Sequence, residues 1–247
     1  SEYKGKPWVE NVSRPNTITD GLNGRHFSIW SSHGRYYDAN KGVWKWQRPN
    51  LFGTTEDLYT QTIVIPYLFP MLENAGAVVV SSRERDWQKQ EVIVDNDNPR
   101  ANGKATYQEV NNKKKWGNAI GSGFAFHQGT YADSENPFVA GSARQIKSRK
   151  RNSKLSHISY QPYIPQDGNY AVYVSYKTIK RSVDDAEYIV FHKGQETRFR
   201  VNQQIGGSTW VYLGTFEFDK GCNIFNRVVL TNHTKHRGIV TADAVRF

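Results

Sequence analysis

Asn169 to Tyr176 reads NYAVYVSY, and its pattern decides the class of the carboxy-terminal half. Tyr170, Val172, Val174 and Tyr176 fall on every second position, so in an extended chain they share one face. The pattern continues in Ala186 to His192, Thr197 to Asn202, Thr209 to Phe218, Asn226 to Thr231 and Ile239 to Phe247, with Gly206-Gly207, Gly221 and Gly238 marking the turns. Short alternating segments at this spacing predict an all-β sandwich. Composition agrees: aromatic residues make up 13% of the 247, scattered through segments bounded by Gly, Asn and Pro.

The length suits two domains, each with its own core. No apolar run approaches the roughly 20 residues that cross a bilayer as a helix. A first residue of Ser rather than Met is expected either of a processed start, from which a secretory signal would already be gone, or of a sequence cut from a longer one. The single cysteine, Cys222, stands in an apparent turn between Gly221 and Asn223; it rules out an internal disulfide and a cysteine-based zinc site and reads as a structural thiol.

Net charge is +10, and its placement says more than its size. Residues 1–99 carry 11 basic and 12 acidic side chains (−1), residues 100–154 carry 11 and 3 (+8), and residues 155–247 carry 11 and 8 (+3). Lys113 to Lys115 and the run from Lys147 to Lys154, KSRKRNSK, dominate the middle, the second of them within a basic loop at 144–154. Interspersed Gly, Ser and Asn make these loops rather than a helix face. Lys147, Arg149, Lys150 and Arg151 are candidate contacts for an anionic polymer, and a solvated loop is the plainer reading. Trp210, after the Gly206-Gly207 turn, is either a sugar-stacking platform or a packed core ring. Asp184-Asp185 reads as a turn, because calcium wants more oxygens than two adjacent carboxylates supply.

In the amino-terminal part, His26 to Trp30 (HFSIW) predicts a short strand that delivers His33 to its carboxyl end. Thr54-Thr55-Glu56-Asp57 has the form of a helix start, with a hydroxyl to cap free N–H groups and acids facing the positive end of the dipole. The helix is expected to run from about Thr55 to Asn74, with a kink or break at Pro66 and Pro70, and to gather Leu58, Ile65, Leu68 or Phe69, and Leu72 on one face. Ala77 to Ser82 (AVVVSS) then predicts a strand buried on both faces. Strand, helix and strand imply a parallel βαβ crossover, whose strand ends and helix starts meet along one edge. That edge would bring together His33 and Glu56, 23 positions apart, two of the three protein ligands of a catalytic zinc. A turn histidine and a dipole-complementing glutamate are the alternative.

The sequence around these residues resembles a known family. Ser32-His33-Gly34, Thr55-Glu56-Asp57 opening a helix, and Asn74 to Asp86 (NAGAVVVSSRERD) are similar to the zinc-dependent N-acetylmuramoyl-L-alanine amidases, over roughly residues 25 to 90. The resemblance implies His33 and Glu56 as zinc ligands and an activity on peptidoglycan. A third ligand and a general base have no counterpart in the chain, which is expected to be inactive alone and to be completed by a C-terminal continuation or a second chain.

The carboxy-terminal segments resemble the golvesin and xanthan lyase carbohydrate-binding-like domains. The matching stretches are Tyr163-Ile164-Pro165 with Gly168 to Val174, Ala186-Glu187-Tyr188, Val201-Asn202-Gln203, Gly206 to Trp210 with Leu213 to Phe216, and Thr241 to Phe247. This implies a jelly-roll-like sandwich linked to polymer binding. The expected architecture is therefore an α/β amidase-like fragment over 1–98 and a sandwich over 99–247, in a periplasmic, outer-membrane-associated or extracellular protein. Its function would be part of a peptidoglycan amidase or, alternatively, a non-catalytic wall-binding protein or the accessory region of a xanthan-type polysaccharide lyase.

Overall fold

The computed structural model describes residues 3, 5–31, 33–97, 104–127, 129, 131–132 and 134–247. The chain forms two compact units, residues 1–4 with 16–87 and residues 5–15 with 88–247. Residues 5–15 and 88–97, on the amino side of the expected division, thus pack with the sandwich, and the division at 98 and 99 lies outside the described residues.

In the first unit the strand His26–Ile29 pairs in parallel with Val78–Ser81. A hairpin of Arg35–Asp38 and Val43–Trp46 and a short ladder of Asn50–Leu51 with Thr54–Thr55 lead to the helix. Thr55 caps it, its hydroxyl accepting the Leu58 N–H at 3.4 Å. Where a kink or break was expected at the prolines, the helix carries a widened turn. An α-helix over Glu56–Ile63 passes through a π-helical turn at Val64–Leu68 into a second α-helix over Phe69–Asn74. The Phe69 N–H reaches back five residues to the Val64 carbonyl, and the wider ring accommodates Pro66, which lacks a donor and crowds the preceding turn. Of the alternatives Leu68 and Phe69 for the apolar face, Phe69 is the one fully buried; Leu68 is exposed, as is Leu58, which was expected on that face.

Gly76 ends the helix at φ 98°. Its N–H donates to the Glu73 carbonyl at 3.0 Å and the Ala77 N–H to Leu72 at 3.0 Å, the double bond of a Schellman cap. The strand that follows is not buried on both faces. Val79 is buried but Val78 and Val80 are only partly covered, because the sheet has two strands and one helix to cover it.

The second unit is all β. A six-stranded antiparallel sheet runs Val9–Asn11, Gln195–Val201, Ala186–His192, Arg227–Thr231, His157–Gln161, Thr106–Val110. A four-stranded sheet runs Val211–Phe218, Gly168–Val174, Val245–Arg246, Ile93–Val94, and a three-stranded one Gly117–Gly123, Gly141–Lys147, Ile239–Ala242. Between them lies one core built around Tyr160, Tyr170, Tyr176, Tyr188, Phe199, Phe218 and Leu230. Tyr170, Val172, Val174 and Tyr176 enter it together, as their alternation requires. The opposite face of that strand is covered as well: Tyr173 lies 5.4 Å from the Tyr212 ring and beneath the Arg246 guanidinium at 5.0 Å.

The Gly206-Gly207 turn exists for close packing. A Cβ on Gly206 would lie 1.9 Å from the Trp8 ring and one on Gly207 2.3 Å from the Thr178 nitrogen. Trp8 fills that gap and donates from Nε1 to the Tyr176 hydroxyl at 2.7 Å, fastening residues 5–15 to the sandwich.

Candidate functional site

His33 and Glu56 do converge. His33 Nδ1 lies 3.6 Å from Glu56 Oε1 and 3.8 Å from Asp57 Oδ1. The loop is set by Arg83, which donates to the His33 carbonyl at 2.7 Å and passes so close to Gly34 that a Cβ there would lie 1.8 Å from its Nη1. Ser32, the first residue of the His-Gly motif, lies outside the described residues. Two further groups belong to the cluster. Asp57 is fully buried and accepts the Arg48 backbone N–H on Oδ2 at 2.8 Å, leaving Oδ1 without a hydrogen-bond partner. The Arg48 guanidinium places Nη2 2.9 Å from His33 Nε2 and Nε 3.9 Å from Glu56 Oε2.

His33 and Glu56 suit two positions of a zinc site, being one imidazole and one carboxylate at a strand end and a helix start. They do not complete one. Among the described residues, the group that brings three His, Asp or Glu ligand atoms within 4.8 Å of one another is Asp184, Asp185 and His236, in the other unit. As it stands, the His33 cluster is an ion-pair network in which Arg48 supplies the cation.

Trp210 is half-buried, its ring 5.0 Å from Phe124 and 5.4 Å from Phe138, in a small cluster with Ile93, Ala244 and Phe126.

The basic segments meet in space. Gly117 pairs with Gln145, and Lys147 with Ile239, so one end of the three-stranded sheet gathers residues from three parts of the sequence. There a groove of about 270 Å³ is lined by Lys114, Lys115, Gly117, Gln145, Ile146, Lys147 and Ile239. Its cations are lysines, and its apolar lining is Gly117, Ile239 and the edge of Ile146, a core residue only 2% exposed. Among the described residues none of the three lysines makes an ion pair. The loop beyond it is ordered through Arg149, which donates from Nε to the Ser153 carbonyl at 2.7 Å while its backbone N–H reaches Asn232 at 2.7 Å. Lys150 and Arg151 remain exposed. Lys114, Lys115, Gln145 and Ile239 were not among the expected contacts, although the lysine run at 113–115 already marked the segment as basic.

The sequence profile of the Golvesin C-terminal domain matches residues 122–247. The chain belongs to this family. Over 92 residues, 36% of the chain, it is 33% identical to a xanthan lyase of Bacillus sp. (strain GL1), and it spans about 10% of that protein's length. A solved Paenibacillus xanthan lyase structure is 25% identical over 63% of the golvesin-family chain and 12% of its own, with a TM-score of 0.43. Of the two expected resemblances, the family match and the Bacillus relative support the golvesin and xanthan lyase one. They give no support to the amidase, zinc and peptidoglycan readings, and the sheets packed on one core in the second unit are consistent with the expected β-sandwich. No helix among the described residues is long and apolar enough to cross a membrane.

Proposed function

We propose that the golvesin-family sandwich binds an anionic glycan and serves as the accessory region of a polysaccharide-processing enzyme of the lyase type, acting outside the cytoplasm. The groove carries this reading. Lys114, Lys115 and Lys147 line it together with Gly117 and the partly exposed Ile239, an arrangement in which ammonium groups meet carboxylates while Ile239 faces the apolar side of a sugar ring. Arg149, Lys150 and Arg151 extend the positive field along the polymer. Similarity to a xanthan lyase supports a glycan as the partner class.

Retention on immobilised polygalacturonate and on neutral dextran, at low and high salt, tests it. The protein should be held by the acidic polymer, released by salt, and weakened about tenfold or more by K114Q/K115Q/K147Q. Equal retention on dextran would overturn the reading.

One observation favours a second reading, the 3.6 Å approach of His33 to Glu56. In it, the unit around residues 16–87 is the first half of a zinc amidase acting on peptidoglycan, with the third ligand and the general base supplied by a C-terminal continuation or a second chain. Zinc, when bound, would polarise the amide carbonyl and lower the pKa of a bound water. His33 and Glu56 would hold it, and Arg48 would have to withdraw. Loss of zinc from the completed protein on H33A tests this reading; zinc retained in full refutes it.

A further inference from the structure

Asp184 and Asp185 lead into the strand Ala186–His192, and residues 232–238 form the turn between Arg227–Thr231 and Ile239–Ala242. The two segments interlock. The Lys235 N–H donates to Asp185 Oδ2 at 2.7 Å, and His236 Nδ1 stands 3.3 Å from Asp184 Oδ1. The turn is held from its other side by Ser148, whose hydroxyl donates to the His236 carbonyl at 3.0 Å and accepts the Gly238 N–H at 2.8 Å. One oxygen from each aspartate and one nitrogen of His236 therefore lie within 4.8 Å of one another on a braced scaffold.

Asp185 is 4% exposed, and its Oδ1 has no hydrogen-bond partner. A buried carboxylate oxygen without a donor is costly unless a cation answers it. Lys6 answers only part of the cluster: its Nζ is 2.8 Å from Asp184 Oδ2 and 3.5 Å from His236 Nδ1.

We propose that Asp184, Asp185 and His236 form a site for a divalent transition metal of the zinc class, and that the Lys6 ammonium stands in for the ion in the metal-free protein. The donor set selects the ion. Calcium prefers six or more oxygens, whereas zinc accepts mixed nitrogen and carboxylate ligands and needs only three from the protein. A fourth position would face solvent, because His236 lies at the surface. Metal and ammonium compete for the same two ligands, so deleting the ammonium should tighten binding. A structural salt bridge alone would not show that behaviour.

The test is calorimetric titration of the metal-stripped full chain with zinc chloride, followed by cobalt substitution read in the visible spectrum. One zinc per chain is expected, weakened about tenfold or more in H236A, tightened in K6A and unchanged in H33A. His236 is exposed, so H236A should melt like the parent, which a thermal scan confirms. Equal zinc affinity in H236A and the parent overturns the site, as does K6A binding no more tightly than the parent or zinc binding that is lost in H33A instead.

Discussion

Replacing Asp95 by Asn should flatten the pH dependence of stability. Asp95 is fully buried and neither of its oxygens has a hydrogen-bond partner. Burial, then the nearby charge of Asp97, pushes its carboxyl up to about 7, while the backbone N–H groups of Asp97, Phe126 and Asn96 pull the other way without reaching good hydrogen-bond geometry. Asp243, also buried, is pushed up to about 8, first by burial and then by Asp95 and Asp97, against the pull of the Phe124 N–H it accepts. The folded state therefore holds these protons more tightly than the unfolded chain, whose carboxyls titrate near 3.8. The stability they contribute is complete below that value and is lost as pH rises through the folded values. Each unit of separation is worth about 1.4 kcal/mol, so between pH 4.5 and 8 Asp95 alone should cost the parent about 3 kcal/mol relative to D95N. Because Asp95 raises Asp243, the variant should also bring Asp243 down, and the two titrate as a coupled pair. The difference between parent and variant is the useful quantity. His26, His157 and His192, each lowered by burial, lose stability in the opposite direction as pH falls through their range, and they cancel in the subtraction. Urea unfolding followed by tryptophan fluorescence at four pH values measures it. Parallel stability curves for parent and D95N, or a parent that gains on D95N as pH rises, would refute the reasoning.

Gly206→Ala should destabilise the sandwich by about 1–3 kcal/mol, because the residue sits at φ 68° and its Cβ would lie 1.9 Å from the Trp8 ring. An unchanged urea midpoint would show that Trp8 yields freely. Glu109→Gln should cost about 2–3 kcal/mol: Arg144 grips Glu109 with Nε at 2.6 Å and Nη2 at 3.1 Å, Tyr107 donates to it at 2.7 Å, and all three are partly buried. A double-mutant cycle with Arg144→Gln measures the coupling, and a value near zero would place the pair among weak surface bridges.

The sandwich was legible because period-2 alternation needs only local sequence to read. Tyr170, Val172, Val174 and Tyr176 are buried together in any strand with one face on a core. What alternation cannot report is which strands become neighbours. Val9–Asn11 joins the edge of the six-stranded sheet beside Gln195–Val201, a pairing across more than 180 positions fixed by Trp8 entering the space that Gly206 leaves. The helix was legible in its ends, through the Thr55 cap and Gly76, and illegible in its middle. A proline's missing donor can be met by a break, a kink or a wider turn, and only the surrounding packing chooses; here the π-helical turn buried Phe69 and exposed Leu68.

The candidate sites divide along the same line. His33 and Glu56 could be paired on paper because a strand's carboxyl end and the next helix's first turn must share an edge. Asp57 could not be placed with them, since an acid in a first turn looks the same in sequence whether it faces water or is buried beside a histidine. Asp184 and Asp185 carry this further. Adjacent carboxylates ordinarily repel and point apart, but the Lys235 N–H pins one, Lys6 and His236 reach the other, and the Asn232 to Gly238 turn closes over both. Three parts of the chain, near residues 6, 185 and 236, must already be folded before that pocket of charge exists. The same holds for Lys114, Lys115 and Lys147, which the sequence marks only as basic and which strand register turns into one groove. Charge was visible in the sequence; its convergence is a property of the sheet.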